Sequence, residues 1–154
     1  GLFSEMRFDG TSRVTCTGSI PSATGVFRGI DLQTTREDLF RALIEGLTYP
    51  LQDVCRAMET IAGGKFGVIR AGNGGAKSRS WLQFKADLFD TPVERVRNNE
   101  ISSVGAAALA AVTLGRYASL AEAQERMVAV LDRVEPIPEN VRRYAERVAE
   151  WKHL

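Results

Sequence analysis

The sequence has a single histidine, His153, next to the last residue, and only two cysteines, Cys16 and Cys55. A Ser–His or Cys–His nucleophilic pair is therefore not expected. The cysteines lack the close spacing of a metal site, and two free thiols in a reducing compartment are expected. No apolar run is long enough to cross a bilayer; the richest small-residue run, Val104 to Leu114, is too short and too rich in alanine. The start lacks the basic-then-apolar pattern of a leader. Charge of one sign is lacking as well: 20 Lys and Arg oppose 19 Asp and Glu, a net +1. Neither nucleic acid nor an anionic membrane is favoured as a partner. Repeats and low-complexity tracts are absent too. A cytoplasmic protein is the expectation.

What is present suits one domain with a core: 154 residues, 44% hydrophobic and 25% charged. The first residue is Gly1 rather than Met, which suggests a piece of a longer protein. The stretch that organises the chain is Ile69 to Trp81. Phe66 to Ile69 reads as a short buried strand. Gly72, Gly74 and Gly75 follow, and a helix begins at Ser78 or Ser80 with Trp81, Leu82, Phe84 and Leu88 on one side. A strand that feeds a bare loop into a helix N-terminus suits a flat or anionic ligand. It suits an ordinary tight turn equally well. Two known glycine motifs are excluded. Ala71 and Ala76 stand where a P-loop needs glycine, and Lys77 stands where the dinucleotide fingerprint needs Gly or Ala.

Around this loop the pattern is mixed. Leu2 to Phe8 reads as a strand, Asp9-Gly10 as a hairpin tip and Arg13 to Thr17 as its return strand. Gly25 to Ile30 is a short strand between glycines. Thr34 or Thr35 caps a long helix that ends at Gly63-Gly64. Its apolar stripe runs Leu39, Leu43, Leu47, Leu51, Val54, Met58 and Ile61, widened by Phe40, Ile44 and Cys55, and is expected to be buried. Pro50 inside it predicts a kink rather than a stop. Pro92 to Val96 is a strand. Ser102 or Ser103 caps a helix whose small residues around Gly105 predict close packing against a neighbour. Ser119 caps a helix from Leu120 to Leu131. Val134 to Pro138 is an extended linker, and a last helix runs from Glu139 or Asn140 through Trp151. Asp87, Glu45 and Glu100 are expected to be structural, and Lys77 to be solvated.

Taken together, three segments resemble the C-terminal domain of the FGGY-type carbohydrate kinases. They are Gly25-Val26-Phe27-Arg28-Gly29-Ile30 with Asp38-Leu39-Phe40-Arg41-Ala42-Leu43-Ile44-Glu45-Gly46; Asn73-Gly74-Gly75-Ala76-Lys77-Ser78 with Trp81, Gln83, Ala86, Asp87, Pro92 and Val93; and Glu100 with Gly105-Ala106-Ala107 and Ala110-Ala111. Two departures stand out. A third family glycine is replaced by Asn73, and of a Gly-Glu-Arg-x-Pro-like segment only Gly10 is kept. The resemblance implies an α/β, actin-like ATPase (ribonuclease H-like) domain with a mixed sheet flanked by helices. Residues 1–154 would then be the C-terminal nucleotide-binding domain of a carbohydrate kinase, incomplete at its N-terminal edge. It further implies ATP and Mg2+, the metal held mainly outside this chain, and γ-phosphoryl transfer to a sugar or polyol hydroxyl. The implied partners are an N-terminal sugar-binding domain and, in a homodimer, a second copy. The implied nucleotide-binding residues are Gly74, Gly75, Ala76, Ser78 and Arg79. No catalytic residue and no metal ligand falls on this chain, since the family's catalytic Asp belongs to the N-terminal domain. The competing reading is a non-catalytic nucleotide- or partner-binding module.

Overall fold

A computed structural model describes residues 3–7, 24–98 and 100–153. The chain divides into two compact units, residues 1–58 with 148–154, and residues 59–147. The hairpin tip at Asp9-Gly10 and the return strand at Arg13 to Thr17 lie outside the described residues, as does Cys16.

In the first unit β1 (Phe3–Arg7) pairs antiparallel with β2 (Thr24–Arg28), Phe3 opposite Arg28 and Arg7 opposite Thr24. Helix α1 (Arg36–Ala62) follows and continues unbroken past Pro50. Thr35 and Asp38 close its start. The Thr35 N–H and hydroxyl both donate to Asp38 Oδ2, at 3.0 and 2.6 Å, while the Asp38 N–H donates back to Thr35 Oγ1 at 3.2 Å. This is a reciprocal cap with a carboxylate at the positive helix end. The helix ends as expected at Gly63, whose φ of 74° only glycine adopts without strain. The Gly64 N–H reaches back to Glu59 O and the Gly63 N–H to Thr60 O.

The burial of α1 differs from the sequence expectation. Leu43, Leu47, Leu51, Val54, Met58 and Ile61 are exposed, and so is Phe40. The buried side carries Ala42, Glu45, Thr48 and Tyr49. These polar groups are buried because they are bonded. Glu45 accepts from Arg41 Nε at 2.7 Å and from the Tyr49 hydroxyl at 2.9 Å, and the Thr48 hydroxyl donates to Ile44 O. The Tyr49 ring packs at 5.6 Å on Trp151, and Lys152 pairs with Asp53 at 2.6 Å.

The second unit is built on a three-stranded mixed sheet, β3 (Ile69–Ala71), β4 (Val93–Val96) and β5 (Val130–Val134). β3 lies parallel to β4, and β4 antiparallel to β5. The strand expected at Phe66 to Ile69 begins only at Ile69, because its register is set by pairing with Val93. Helix α2 (Arg79–Phe89) covers the sheet. Its Leu82 and Ala86 join Ala71, Ala76, Val93 and Val134 in the core. Asp87 is structural, as expected: buried, it accepts from Gln83 Nε2, the Ile137 N–H and Asn140 Nδ2, each at 2.8 Å. It ties α2 to the start of α5 (Pro138–Lys152).

Two further expectations change. Helix α4 (Leu120–Met127) keeps its Ser119 cap but stops at Met127, and the segment expected to finish it forms β5. Val128, Val130 and Leu131 suit either state locally, and the edge of β4 decides between them. Helix α3 (Ile101–Thr113) starts at Ile101, so Ser102 and Ser103 lie inside it. Gly105 has no atom within 4 Å of where a Cβ would stand, so its helix face is open rather than closely packed.

Candidate functional site

The glycine loop leaves the C-terminal end of β3, beside the end of the parallel strand β4. In open α/β sheets this edge is where ligands bind. The loop folds into one turn of 3₁₀ helix, Gly74–Lys77, closed by the Ala76 N–H to Asn73 O at 3.2 Å. Ser78 then caps α2, its Oγ accepting the Trp81 N–H at 3.3 Å. The choice between Ser78 and Ser80 is thus decided for Ser78.

The glycines serve different ends. A Cβ on Gly72 would stand 2.5 Å from Ile101 Cγ2 and 3.3 Å from Val96 Cγ2. A Cβ on Gly75 would stand 2.9 Å from the Trp81 ring. Both glycines therefore make room for the protein's own side chains. Gly74 alone of the three faces open space. Ala76 turns its methyl into the core, 2% exposed, and can offer a ligand only its backbone. Lys77, Ser78 and Arg79 are exposed. The five expected residues, Gly74, Gly75, Ala76, Ser78 and Arg79, thus occupy one turn and a helix start, with open backbone at Gly74 and polar side chains at Ser78 and Arg79.

Sequence reasoning missed three things here. Asn73 has φ 65° and ψ −168°. That is not the left-handed helical region that asparagine tolerates but the region reserved in practice for glycine. Trp81 is more than a helix-face residue: its ring braces Gly75, and Lys85 Nζ sits 4.7 Å above the ring centroid. Partial burial there pushes the Lys85 pKa down. An aromatic residue one turn into a helix that follows a glycine turn was the available signal. The third is a cavity of about 460 Å³ between β4, α3 and α4, mostly apolar, with Arg70, Asn98 and Gln124 as its polar members. Val96 and Ile101, which abut Gly72, line it, and none of the five loop residues does. Among the described residues no three His, Cys, Asp or Glu side chains converge to hold a metal ion, and no helix is long and apolar enough to cross a membrane.

The family model "FGGY family of carbohydrate kinases, C-terminal domain" matches residues 8–114. A xylulose kinase of Staphylococcus epidermidis is 42% identical over 116 residues, 75% of this chain and 23% of that protein. A glycerol kinase of Aquifex aeolicus is 36% identical over 101 residues, 66% of this chain and 20% of the relative. The crystal structure of xylulose kinase from Rhodospirillum rubrum superposes with a TM-score of 0.71 at 28% identity, covering 86% of this chain and 27% of that one. The fold is that of the actin-like ATPases. Within that class, the chain belongs to the FGGY family of carbohydrate kinases, in their C-terminal domain. It spans about a quarter of the length of the relatives it matches.

Proposed function

We propose that the chain, over all of residues 1–154, is the nucleotide-side domain of an ATP-dependent carbohydrate kinase. The transfer moves the γ-phosphoryl group of ATP to a sugar or polyol hydroxyl. The new O–P bond forms as the bond to the β–γ bridging oxygen breaks, ADP departs, and the hydroxyl proton passes to a base elsewhere in the polypeptide. The names of the relatives, xylulose kinase and glycerol kinase, favour a pentulose or a polyol as acceptor and a cytoplasmic setting. Catalysis of this kind is mainly positioning and charge stabilisation, and this chain's share is to hold the nucleotide. Magnesium would neutralise phosphate charge. Its ligands would come mainly from the phosphates and from outside this chain.

The observation that carries the reading is the open backbone at Gly74, set at the ligand edge of a parallel strand pair and followed by the exposed Ser78 and Arg79. Adenine and ribose present a flat face with few polar edges, and a bare backbone lies against such a face without an intervening side chain. Phosphates call for converging N–H groups and a lysine at P-loop spacing, which Ala71 and Ala76 break. Calorimetry on the purified chain tests this. ATP, ADP and adenosine should bind with similar, weak affinity. Gly74→Val should remove binding with an unchanged circular dichroism spectrum, since space is open there, and Lys77→Ala should change little. Far tighter binding of ATP than of adenosine, lost in Lys77→Ala, would make the loop a phosphate cradle and overturn the assignment.

A further inference from the structure

Gly75 is a glycine because of Trp81. Its backbone has no positive φ, so its own dihedrals would admit a side chain. What excludes one is the indole. A Cβ there would stand 2.9 Å from Trp81 Cζ3 and 3.2 Å from Cε3, and the three atoms nearest to that position all belong to the ring. The ring is seated on the ordered part of the fold. The Trp81 N–H donates to Ser78 Oγ at 3.3 Å, and Lys85 Nζ, one turn further along α2, stands 4.7 Å from the ring centroid. The neighbouring Leu82, 1% exposed, fixes this part of α2 in the sheet core. A half-buried indole held by α2 thus lies against Gly72 to Gly75, a segment of three glycines and one asparagine. Glycines have the greatest backbone freedom of any residue, so such a segment has little of its own to hold it in one conformation.

We propose that Trp81 is a positioning residue for the nucleotide: acting through Gly75, its indole holds the Gly74–Gly75 backbone in the geometry that receives the adenosine end. The proposal rests on the nucleotide reading above. The open backbone at Gly74 binds a flat face well only if it is already in place. An unbraced glycine turn would be ordered by the ligand at the moment of binding, and that ordering would be subtracted from the affinity. Trp81 supplies the order in advance. The other anchors hold the ends of the turn. The Ala76 N–H closes it on Asn73 O at 3.2 Å, and the Ala76 methyl is fixed in the core. Between these ends the indole packs on Gly75. Glycine and tryptophan therefore specify each other: a smaller residue at 81 would release the turn, and a larger one at 75 would push the ring away from it.

Amide exchange followed by NMR and calorimetry with adenosine, both on the purified chain, are the test. In Trp81→Leu the Ala76 amide, bonded to Asn73 O, should exchange several-fold faster than in wild type, with the amides of β4 unchanged. Adenosine affinity, measured on folded protein, should fall by roughly fivefold. Trp81→Phe keeps an aromatic ring and should restore both to within about twofold. Gly75→Ala should weaken adenosine binding in the wild-type background and do little in Trp81→Leu, where the ring that its methyl meets is gone. A packing role alone would lower the urea midpoint of Trp81→Leu and leave turn exchange and affinity as they are; that result overturns the proposal. Equal losses from Gly75→Ala in the two backgrounds overturn it as well. If Trp81→Leu does not fold, Gly75→Ala decides by itself: unchanged Ala76 exchange and unchanged affinity in that variant are fatal to the proposal. A wild-type chain that binds neither adenosine, ADP nor ATP would defeat the nucleotide reading and the positioning role with it. Wild-type binding that Trp81→Leu leaves intact would defeat the positioning role alone.

Discussion

Helices α1 and α2 carry equally clear apolar faces and meet opposite fates. In α2, Leu82, Phe84 and Leu88 are buried, with Leu82 packed into the sheet core. In α1 the stripe faces outward, and a bonded polar face is buried instead. Periodicity states that a face is to be covered; it does not state by what. The cover for α2 lies within about fifty residues of it in the same unit, on β4 and β5. The cover for α1 is not among the described residues.

This contrast is most open to attack in the two leucines. Leu82→Ala should lower the chain's stability by about 2–5 kcal/mol, since it deletes a core side chain from a packed site. Leu47→Ala should change it by less than about 0.5 kcal/mol, as expected for a surface position. Urea midpoints of the two variants decide: equal losses would mean that the stripe is covered within the chain itself, and the contrast would be gone.

A smaller effect sharpens the α2 side. Asn73, just before the turn that leads into α2, is held at φ 65° and ψ −168°. Strain in that region costs on the order of 1–3 kcal/mol, and glycine's greater freedom in the unfolded chain takes back roughly 0.5–1 kcal/mol. Asn73→Gly should therefore stabilise the chain by roughly 1 kcal/mol, seen as a raised urea midpoint. A lowered midpoint would show that the loop does not hold this conformation.

The smallest effect separates the two helix starts by pH. Ser78 caps α2 with a neutral hydroxyl, whereas α1 begins on the Asp38 carboxylate. The Thr35 hydroxyl bonded to Asp38, and then the Thr35 N–H, hold the carboxyl pKa below its ordinary value. Its contribution is complete above the unfolded pKa of about 4 and is lost as pH falls through the lower folded value. In acid titrations of stability, Asp38→Asn should remove a small part of the fall below about pH 4. Ser78→Ala should leave the slope unchanged. A slope identical to wild type in Asp38→Asn would show that the carboxylate does not cap α1.

Much of this was legible in local sequence, and the reason is the same each time. The caps at Thr35 and Ser78 are legible to within one or two positions, and the stop at Gly63-Gly64 directly, because a cap is satisfied within four residues of itself. Asp87 is anticipated as structural because a carboxylate at a helix end finds donors nearby, although its partners Ile137 and Asn140 are distant in sequence and could not be named. Locally, Val130 and Leu131 read as the end of a helix and Val134 as an extended linker, because a strand exists only against another strand and Val130 to Val134 has β4 as its template. Trp81 against Gly75 was hidden for a similar reason: the glycines promise room, and the fold decides what takes it.

Alone, then, the order of the residues determined the ends of α1 and the start of α2 to within a residue or two, the glycine turn and the existence of an apolar stripe on α1. All of these are short-range matters of dihedral freedom, capping and period. Tertiary structure decided that the stripe faces outward, that Gly72 and Gly75 yield their space to Ile101 and Trp81 while Gly74 stays open, and that Val130 to Val134 is a strand. Those outcomes depend on which surfaces are within reach once the chain has turned back on itself, and a periodic pattern carries no record of its partner.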